Sequence, residues 1–186
     1  MKQNVLLYIY GAIIVLEGVF LLFSKNFTFS VTRYTLGIAL VIGAVLALAT
    51  AFSSQRKQVQ FAYHEMHALS MFVYGISVLL FASSIEILGY LTAFLLFFYA
   101  FSEVIFCSWI FNLLNSVEVK ILLIRVFLAL VVGIGTVVLM NYDTVNEKLF
   151  IEGYGILFGI MGINTLLYHP IMKPKAMNET EIVYTE

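Results

Sequence analysis

The sequence has 186 residues, of which 62% are hydrophobic and only 11% are charged. A soluble domain averages about 45–50% apolar and about 25% charged residues, so this chain has too little polar surface to cover a water-soluble globule. The composition and the net charge of −1 exclude a nucleic-acid-binding protein, and the single cysteine excludes an intrachain disulfide. We therefore predict an integral membrane protein whose main partner is the lipid bilayer.

Six apolar stretches of helical length follow one another along the chain. A membrane-spanning helix needs about 20 mainly apolar residues, whereas a transmembrane barrel shows segments of about 10 residues with alternating polarity. The predicted spans cover residues 4–23, 31–52, 67–83, 87–111, 119–140 and 148–168. The sequence thus predicts an all-α fold, a polytopic bundle of six transmembrane helices.

The links between the spans are short, and short links require neighbouring helices to lie side by side and antiparallel. Residues 53–66 form the one longer connection. We expect a single transmembrane domain over residues 1–169 and a polar, disordered cytoplasmic tail over residues 170–186.

Basic residues are distributed unequally between the two ends of the spans. Six of them lie at the end where span one begins: Lys2, Arg56, Lys57, Lys120, Lys173 and Lys175. The opposite end has three: Lys25, Arg33 and Lys148. The positive-inside rule then predicts that both termini are cytoplasmic. The small size and single cysteine fit a bacterial inner-membrane protein.

Small residues recur at spacings that place them on one helix face. Helices in a bilayer associate by close backbone approach, which small residues permit. The candidate packing positions are Gly11 and Gly18 in span one, Ala39, Gly43 and Ala47 in span two, Gly133 in span five, and Gly155 and Gly159 in span six. We interpret these positions as contacts within the chain. A homo-oligomer or another membrane protein as partner is the alternative.

The odd-numbered spans share a short pattern, in which a residue pair is followed by a small residue seven positions after its second member. The examples are Tyr10-Gly11 with Gly18, Tyr74-Gly75 with Ala82, and Arg125-Val126 with Gly133. The pattern suggests three repeated helical hairpins, formed by spans one and two, three and four, and five and six. Chance recurrence of glycine, which is common in membrane helices, is the alternative.

This layout resembles the HdeD-like family of bacterial membrane proteins, which are built from a short hydrophobic repeat. The founding member of that family is associated with acid resistance. The resemblance rests on the pattern above and on residues 37–43, GIALVIG, in span two. It implies a non-enzymatic membrane protein with an envelope or acid-stress role and without established catalytic residues.

Four ionisable residues lie within the predicted spans: Glu17, Glu103, Arg125 and Glu152. A charged group there costs about 2.5–3.5 kcal/mol on insertion scales, so each one needs a reason. Glu103 and Arg125 lie at similar depth on consecutive spans, and we expect them to form an ion pair. Glu17 has Arg33 or a tyrosine hydroxyl as a candidate partner. Glu152 is close enough to a span end to reach water.

These residues admit two functional interpretations. Either they are structural pairs that fix helix rotation, or a small transporter or channel uses Glu17, Glu103 and Arg125 as a proton or ion path. Transporters are expected to have helices broken at the midplane, and both prolines, Pro170 and Pro174, lie in the tail. An open cavity that reaches the carboxylates would favour transport, and a closed bundle would favour the structural interpretation. A membrane-embedded assembly subunit is a third alternative.

Histidine and cysteine side chains are the remaining candidate ligands for a metal ion. His64 and His67 have a spacing that would put both imidazoles on one helix face, and His169 and Cys107 are predicted at the same end of the bundle. Such side chains bind zinc, but this spacing matches no known zinc signature. We therefore predict no metal and no cofactor. Because the sequence has no nucleophile elbow and no phosphate loop, it also does not predict an enzyme.

Overall fold

The computed structural model describes residues 2–53, 60–113, 119–141 and 147–167. Within these segments the chain is all-helical, which confirms the predicted fold class. The six α-helices are α1 (Lys2–Leu22), α2 (Phe29–Ser53), α3 (Gln60–Phe81), α4 (Ile85–Leu113), α5 (Val119–Asn141) and α6 (Glu147–Leu166). A 3-10 helix, Ser24–Asn26, connects α1 to α2. The predicted tail, residues 170–186, lies outside the described residues.

Three helices are long and apolar enough to cross a membrane. Their apolar stretches are Phe29–Ala49 in α2, Ile85–Phe111 in α4 and Val119–Asn141 in α5. The described side chains of α1, α3 and α6 form shorter apolar stretches, at Tyr8–Leu22, Met66–Phe81 and Phe150–Leu166. These features fit an integral membrane protein.

The helix that contains the third predicted span begins earlier than the span itself. α3 begins at Gln60, whereas the apolar run that defines the span begins at His67. Backbone hydrogen bonds continue a helix beyond its apolar run, so residues 60–66 are helical and do not belong to a connecting loop. All other predicted boundaries agree with the helices to within two residues.

The helices close into a ring in chain order. Each helix contacts the next one, and α6 returns to contact α1. Neighbours are antiparallel, as Arg33 near the start of α2 bonds to Val78 near the end of α3. We name the end where α1, α3 and α5 begin the N-terminal end. The opposite end, where the short α1–α2 and α3–α4 links lie, is the hairpin end.

The most extensive helix contacts join α1 to α6, α2 to α3, and α4 to α5. Glycines allow this close approach. A Cβ atom on Gly18 would lie 2.5 Å from the backbone nitrogen of Gly159. A Cβ atom on Gly75 would lie 3.0 Å from the carbonyl oxygen of Gly37, and one on Gly133 would lie 3.3 Å from a side chain of α4.

The small-residue seam predicted on α2 has a different role. A Cβ atom on Gly43 would meet only side-chain atoms of α1, Ile13 and Tyr10, at 3.4 Å or more. No two backbones approach closely at Gly43, so that expectation was wrong. Ala47 is buried and Ala39 is half-buried. Residue spacing identifies a helix face but does not say which atoms a neighbour presents to it.

The repeat would predict that the hairpins α1–α2, α3–α4 and α5–α6 are the most closely packed pairs. Each odd-numbered helix instead has its most extensive contacts with the helix that precedes it in the ring. Even so, the first residues of the three pattern copies occupy similar environments. Tyr10, Tyr74 and Arg125 are all buried, at 5% exposure or less. The internal repeat itself stays a prediction.

Fully buried apolar side chains fill the middle of the ring. They come from all six helices: Ile14, Leu40, Met71, Leu96, Val132 and Phe158. On α1, α3, α4 and α6, buried polar residues occur on both sides of this apolar layer along the chain. The layer therefore separates two polar clusters.

Candidate functional site: two buried polar clusters

Six buried polar side chains gather toward the N-terminal end of the bundle. We name them the Arg125 cluster: Tyr10 on α1, His67 on α3, Tyr99 and Glu103 on α4, Arg125 on α5, and Asn164 on α6. Each is at most 4% exposed. Buried polar groups are costly unless they bond to one another, so this cluster constrains the relative positions of five helices.

An ion pair forms the centre of this cluster. Nε of Arg125 donates a hydrogen bond to Oε1 of Glu103 at 2.6 Å, and Nη2 contacts the same oxygen. The guanidinium also lies 5.7 Å from the ring centroid of Phe106, within cation–π range. The Cys107 thiol is 3.5 Å from Oε1 of Glu103. The pairing that the sequence predicts between Glu103 and Arg125 is therefore present, on antiparallel neighbours α4 and α5.

Asn164 connects α6 to the ion pair. Its Nδ2 donates hydrogen bonds to the Tyr99 hydroxyl at 2.6 Å and to the carbonyl oxygen of Arg125 at 3.3 Å. Its Oδ1 has no hydrogen-bond partner among the described residues. One neutral side chain thus joins α4, α5 and α6.

His67 lies in the bundle interior. Its Nδ1 is 2.8 Å from the hydroxyl of Tyr10, and its ring packs against the edge of Tyr99 with centroids 5.2 Å apart. The first residue of the third predicted span is therefore a buried member of a polar cluster. Because α3 begins at Gln60, His67 lies about two turns inside the helix.

The other candidate metal ligands do not join His67 in a described site. Cys107 contacts Glu103, which is already bonded to Arg125. Among the described side chains, no three of the histidines, cysteines and carboxylates are close enough together to hold a metal ion. The side chain of His64 and the whole of His169 lie outside the described residues.

A second polar group lies toward the hairpin end. We name it the Glu17 cluster: Glu17 on α1, Tyr74 on α3, Thr92 on α4 and Tyr154 on α6, each at most 6% exposed. The Tyr74 hydroxyl is 2.7 Å from Oγ1 of Thr92. Oε2 of Glu17 and the hydroxyl of Tyr154 have no hydrogen-bond partner among the described residues.

Arg33 does not pair with Glu17, which corrects one of the two candidate pairings. Nε of Arg33 donates to the carbonyl oxygen of Val78 at 3.1 Å, and Nη2 donates to that of Leu79. These carbonyls belong to the last turn of α3, where helices leave acceptors unsatisfied and where a positive charge is favourable. Arg33 therefore caps α3.

Two cavities open near the hairpin end. The larger one, of about 240 Å³, has Lys25 and Glu152 in its wall, and their charged groups are 3.8 Å apart. The smaller one has about 10 Å³. Neither Glu17 nor Glu103 lines them. Both cavities have Ile85 and Ile151 in their walls. The wall of the smaller cavity also includes Thr92 and Tyr154.

No family model matches this chain, and no curated protein or solved structure matches it either. The resemblance to HdeD-like proteins therefore stays a prediction from the sequence. The two clusters are interpreted from their own geometry.

Proposed function

We propose that all six helices cross a lipid bilayer. α1, α3 and α6 have 21, 22 and 20 residues, so each is at least about 30 Å long, which matches the hydrocarbon thickness. Their outward faces are apolar, with Leu16, Leu80 and Ile156 exposed by 65%, 66% and 55%. A ring with an apolar outer surface and a buried ion pair supports a lipid environment, because a soluble bundle exposes its charged side chains to water and has a polar outer surface.

We further propose that both termini are cytoplasmic, as the distribution of basic residues predicts. Lys25 at the hairpin end and Lys120 at the N-terminal end are both exposed. With Cys107→Ala as background, a membrane-impermeant thiol reagent should label Lys25→Cys in intact cells and Lys120→Cys only after permeabilisation. The reverse pattern would invert the orientation.

The protein is proposed to be a non-enzymatic membrane protein of the HdeD-like kind, with a role in envelope or acid-stress tolerance and the Arg125 cluster as a structural centre. One observation carries the structural part: Glu103 and Arg125, at most 1% exposed, are bonded to each other. A transport path through these residues would need water beside them, and neither residue lines the cavity of about 280 Å³ that has Cys107 in its wall or the two hairpin-end cavities. The stress role rests on the family resemblance.

Survival after an acid challenge tests this proposal. A strain that lacks the gene should survive less well than its parent, and the wild-type gene should restore survival. The double variant Glu103→Gln with Arg125→Met should also restore survival if it accumulates to normal levels, because a structural pair has no chemical role. Equal survival of the deletion strain would refute the stress role. Failure of a well-expressed double variant would refute a purely structural cluster.

A second candidate function is a small transporter or channel, and one observation favours it. Oε2 of Glu17 is buried without a hydrogen-bond partner among the described residues, on the side of the bundle where the two cavities open. Proton and alkali-ion flux into liposomes that contain the purified protein tests this alternative. Flux that Glu17→Gln abolishes would support transport, whereas absence of flux with the wild type would exclude it for these ions.

The assembly-subunit alternative has less support. Such a subunit would need a lipid-facing patch of small residues, and Gly11, Gly18 and Gly155 instead lie against neighbouring helices of the same chain. The exposed face of α4 is aromatic, with Phe94 and Phe101 exposed by 74% and 70%. The glycine contacts therefore support packing within one chain, and the exposed face of α4 has no patch of small residues at Phe94 and Phe101.

A further inference from the structure

We propose that the Glu17 cluster is a binding site for one monovalent cation, either a proton or an alkali-metal ion. The site is separate from the Arg125 cluster and does not depend on its role. Binding at this site also does not require that the ion crosses the apolar layer, so the proposal stands apart from transport.

The first argument is the presence of unused oxygen atoms. Oε2 of Glu17 and the hydroxyl oxygen of Tyr154 are buried, and neither has a hydrogen-bond partner among the described residues. Thr92, to which Tyr74 bonds, lines the same small cavity as Tyr154 and as Leu21, which is one turn from Glu17 on α1. Three oxygen-bearing side chains from three helices therefore share one region, and oxygen ligands suit protons and alkali-metal ions.

The second argument concerns the hydrogen bonds that the hydroxyl groups of Thr92 and Tyr74 donate. Thr92 donates its only hydroxyl proton to the carbonyl oxygen of Leu88 at 2.6 Å. The 2.7 Å contact between Tyr74 and Thr92 therefore has Tyr74 as donor. Tyr74 has no further proton to give to Glu17, and its oxygen retains acceptor lone pairs. The Tyr74 hydroxyl is thus set to bind a positive species and not to stabilise a carboxylate.

The third argument is the charge balance at the hairpin end. Lys25 pairs with Glu152 at 3.8 Å, and Arg33 bonds to carbonyl oxygens of α3. Tyr90 on α4 is a further phenol, and it is 65% exposed. No described basic side chain compensates Glu17, and a buried lone carboxylate is costly. One monovalent cation makes the cluster neutral, whereas a divalent ion would leave an excess charge.

The fourth argument is the space beside the cluster. The small cavity of about 10 Å³ has room for about one water-sized species, and its wall shares Ile85 and Ile151 with that of the larger cavity. Leu21, one turn from Glu17, lines it. On the other side, Ile14, Met71 and Phe158 are fully buried and apolar. A further cavity of about 460 Å³, between α3 and α4, has Tyr74 in its wall, so cavities adjoin the cluster on two sides.

Thermal unfolding of the purified full-length protein tests the proposal. Unfolding is recorded at constant ionic strength with choline, sodium or potassium as the cation, and at mildly acidic and mildly alkaline pH. A ligand at tenfold its Kd should raise the wild-type Tm by about 3–6 °C. Glu17→Gln should lose this response. Glu152→Gln, which removes a partly exposed carboxylate from the wall of the larger cavity, should retain it.

The comparison of cations and the comparison of pH values distinguish an alkali-metal ion from a proton. A response to sodium or potassium over choline identifies an alkali-metal ion, and a response to acidification alone identifies a proton. Tyr154→Phe removes one oxygen without changing the charge and should reduce the response, which provides a second test if Glu17→Gln does not fold. Absence of any response in the wild type, or an equal response in Glu17→Gln, would overturn the proposal.

Discussion

Gly18 of α1 and Gly155 of α6 approach each other reciprocally. A Cβ atom on Gly18 would lie 2.7 Å from the carbonyl oxygen of Gly155, and one on Gly155 would lie 2.8 Å from that of Gly18. Because α1 and α6 are the first and last helices, no chain link holds them together. The contact between these two glycines therefore closes the ring.

Gly18→Ala should destabilise the protein. The atoms that its methyl group would meet belong to the backbone of α6, so they cannot move aside as a side chain would. Overpacking of this kind costs about 1–3 kcal/mol. The free energy of unfolding in detergent measures the loss.

Gly159→Ala is the matched control for that substitution. A Cβ atom on Gly159 would meet nothing within 4 Å, and alanine is favoured over glycine in a helix by about 1 kcal/mol. We expect unchanged or increased stability. Equal destabilisation by both variants would show that α1 and α6 do not meet as described.

Tyr10→Phe tests the position of His67. The substitution keeps the ring and removes the hydroxyl that lies 2.8 Å from Nδ1 of His67, so unfolding should be easier by about 1–3 kcal/mol. Tyr34→Phe is the control, since Tyr34 is 52% exposed and should change stability little. If both variants behave alike, His67 is not held by Tyr10.

A double-mutant cycle on Glu17 and Arg33 tests the assignment of Arg33 as a cap of α3. Because Arg33 bonds to carbonyl oxygens of α3, Glu17→Gln and Arg33→Met should have additive effects on the free energy of unfolding. A coupling energy well above the error of about 0.3–0.5 kcal/mol would instead restore the Glu17–Arg33 pair.

The sequence predicts much of this structure because length and hydropathy are local properties. The apolar runs identify six helices, and matching depth identifies Glu103 and Arg125 as partners. Depth does not give helix rotation, which is why the Glu17–Arg33 pairing was wrong. α3 extends to Gln60 beyond its apolar run. His67 therefore lies about two turns inside the helix and not at its end.

The rest of the two clusters depends on which helices meet across the ring. Tyr10 meets His67, and Asn164 meets Tyr99, over separations of 57 and 65 residues. Span order alone does not specify such contacts. Asn164 did carry a signal, as a neutral polar residue inside an apolar run, and buried polar residues of this type need a partner.

The central claim is that Glu103 and Arg125 stabilise the bundle as a pair, and a double-mutant cycle on the free energy of unfolding tests it most directly. Glu103→Gln or Arg125→Met alone leaves the other charge buried, which typically costs about 3–5 kcal/mol. The double variant removes both charges and should lose less than the sum of the single losses. We expect a coupling energy of at least about 0.6 kcal/mol, the average for polar pairs in membranes. Additive losses would contradict a structural role for this pair.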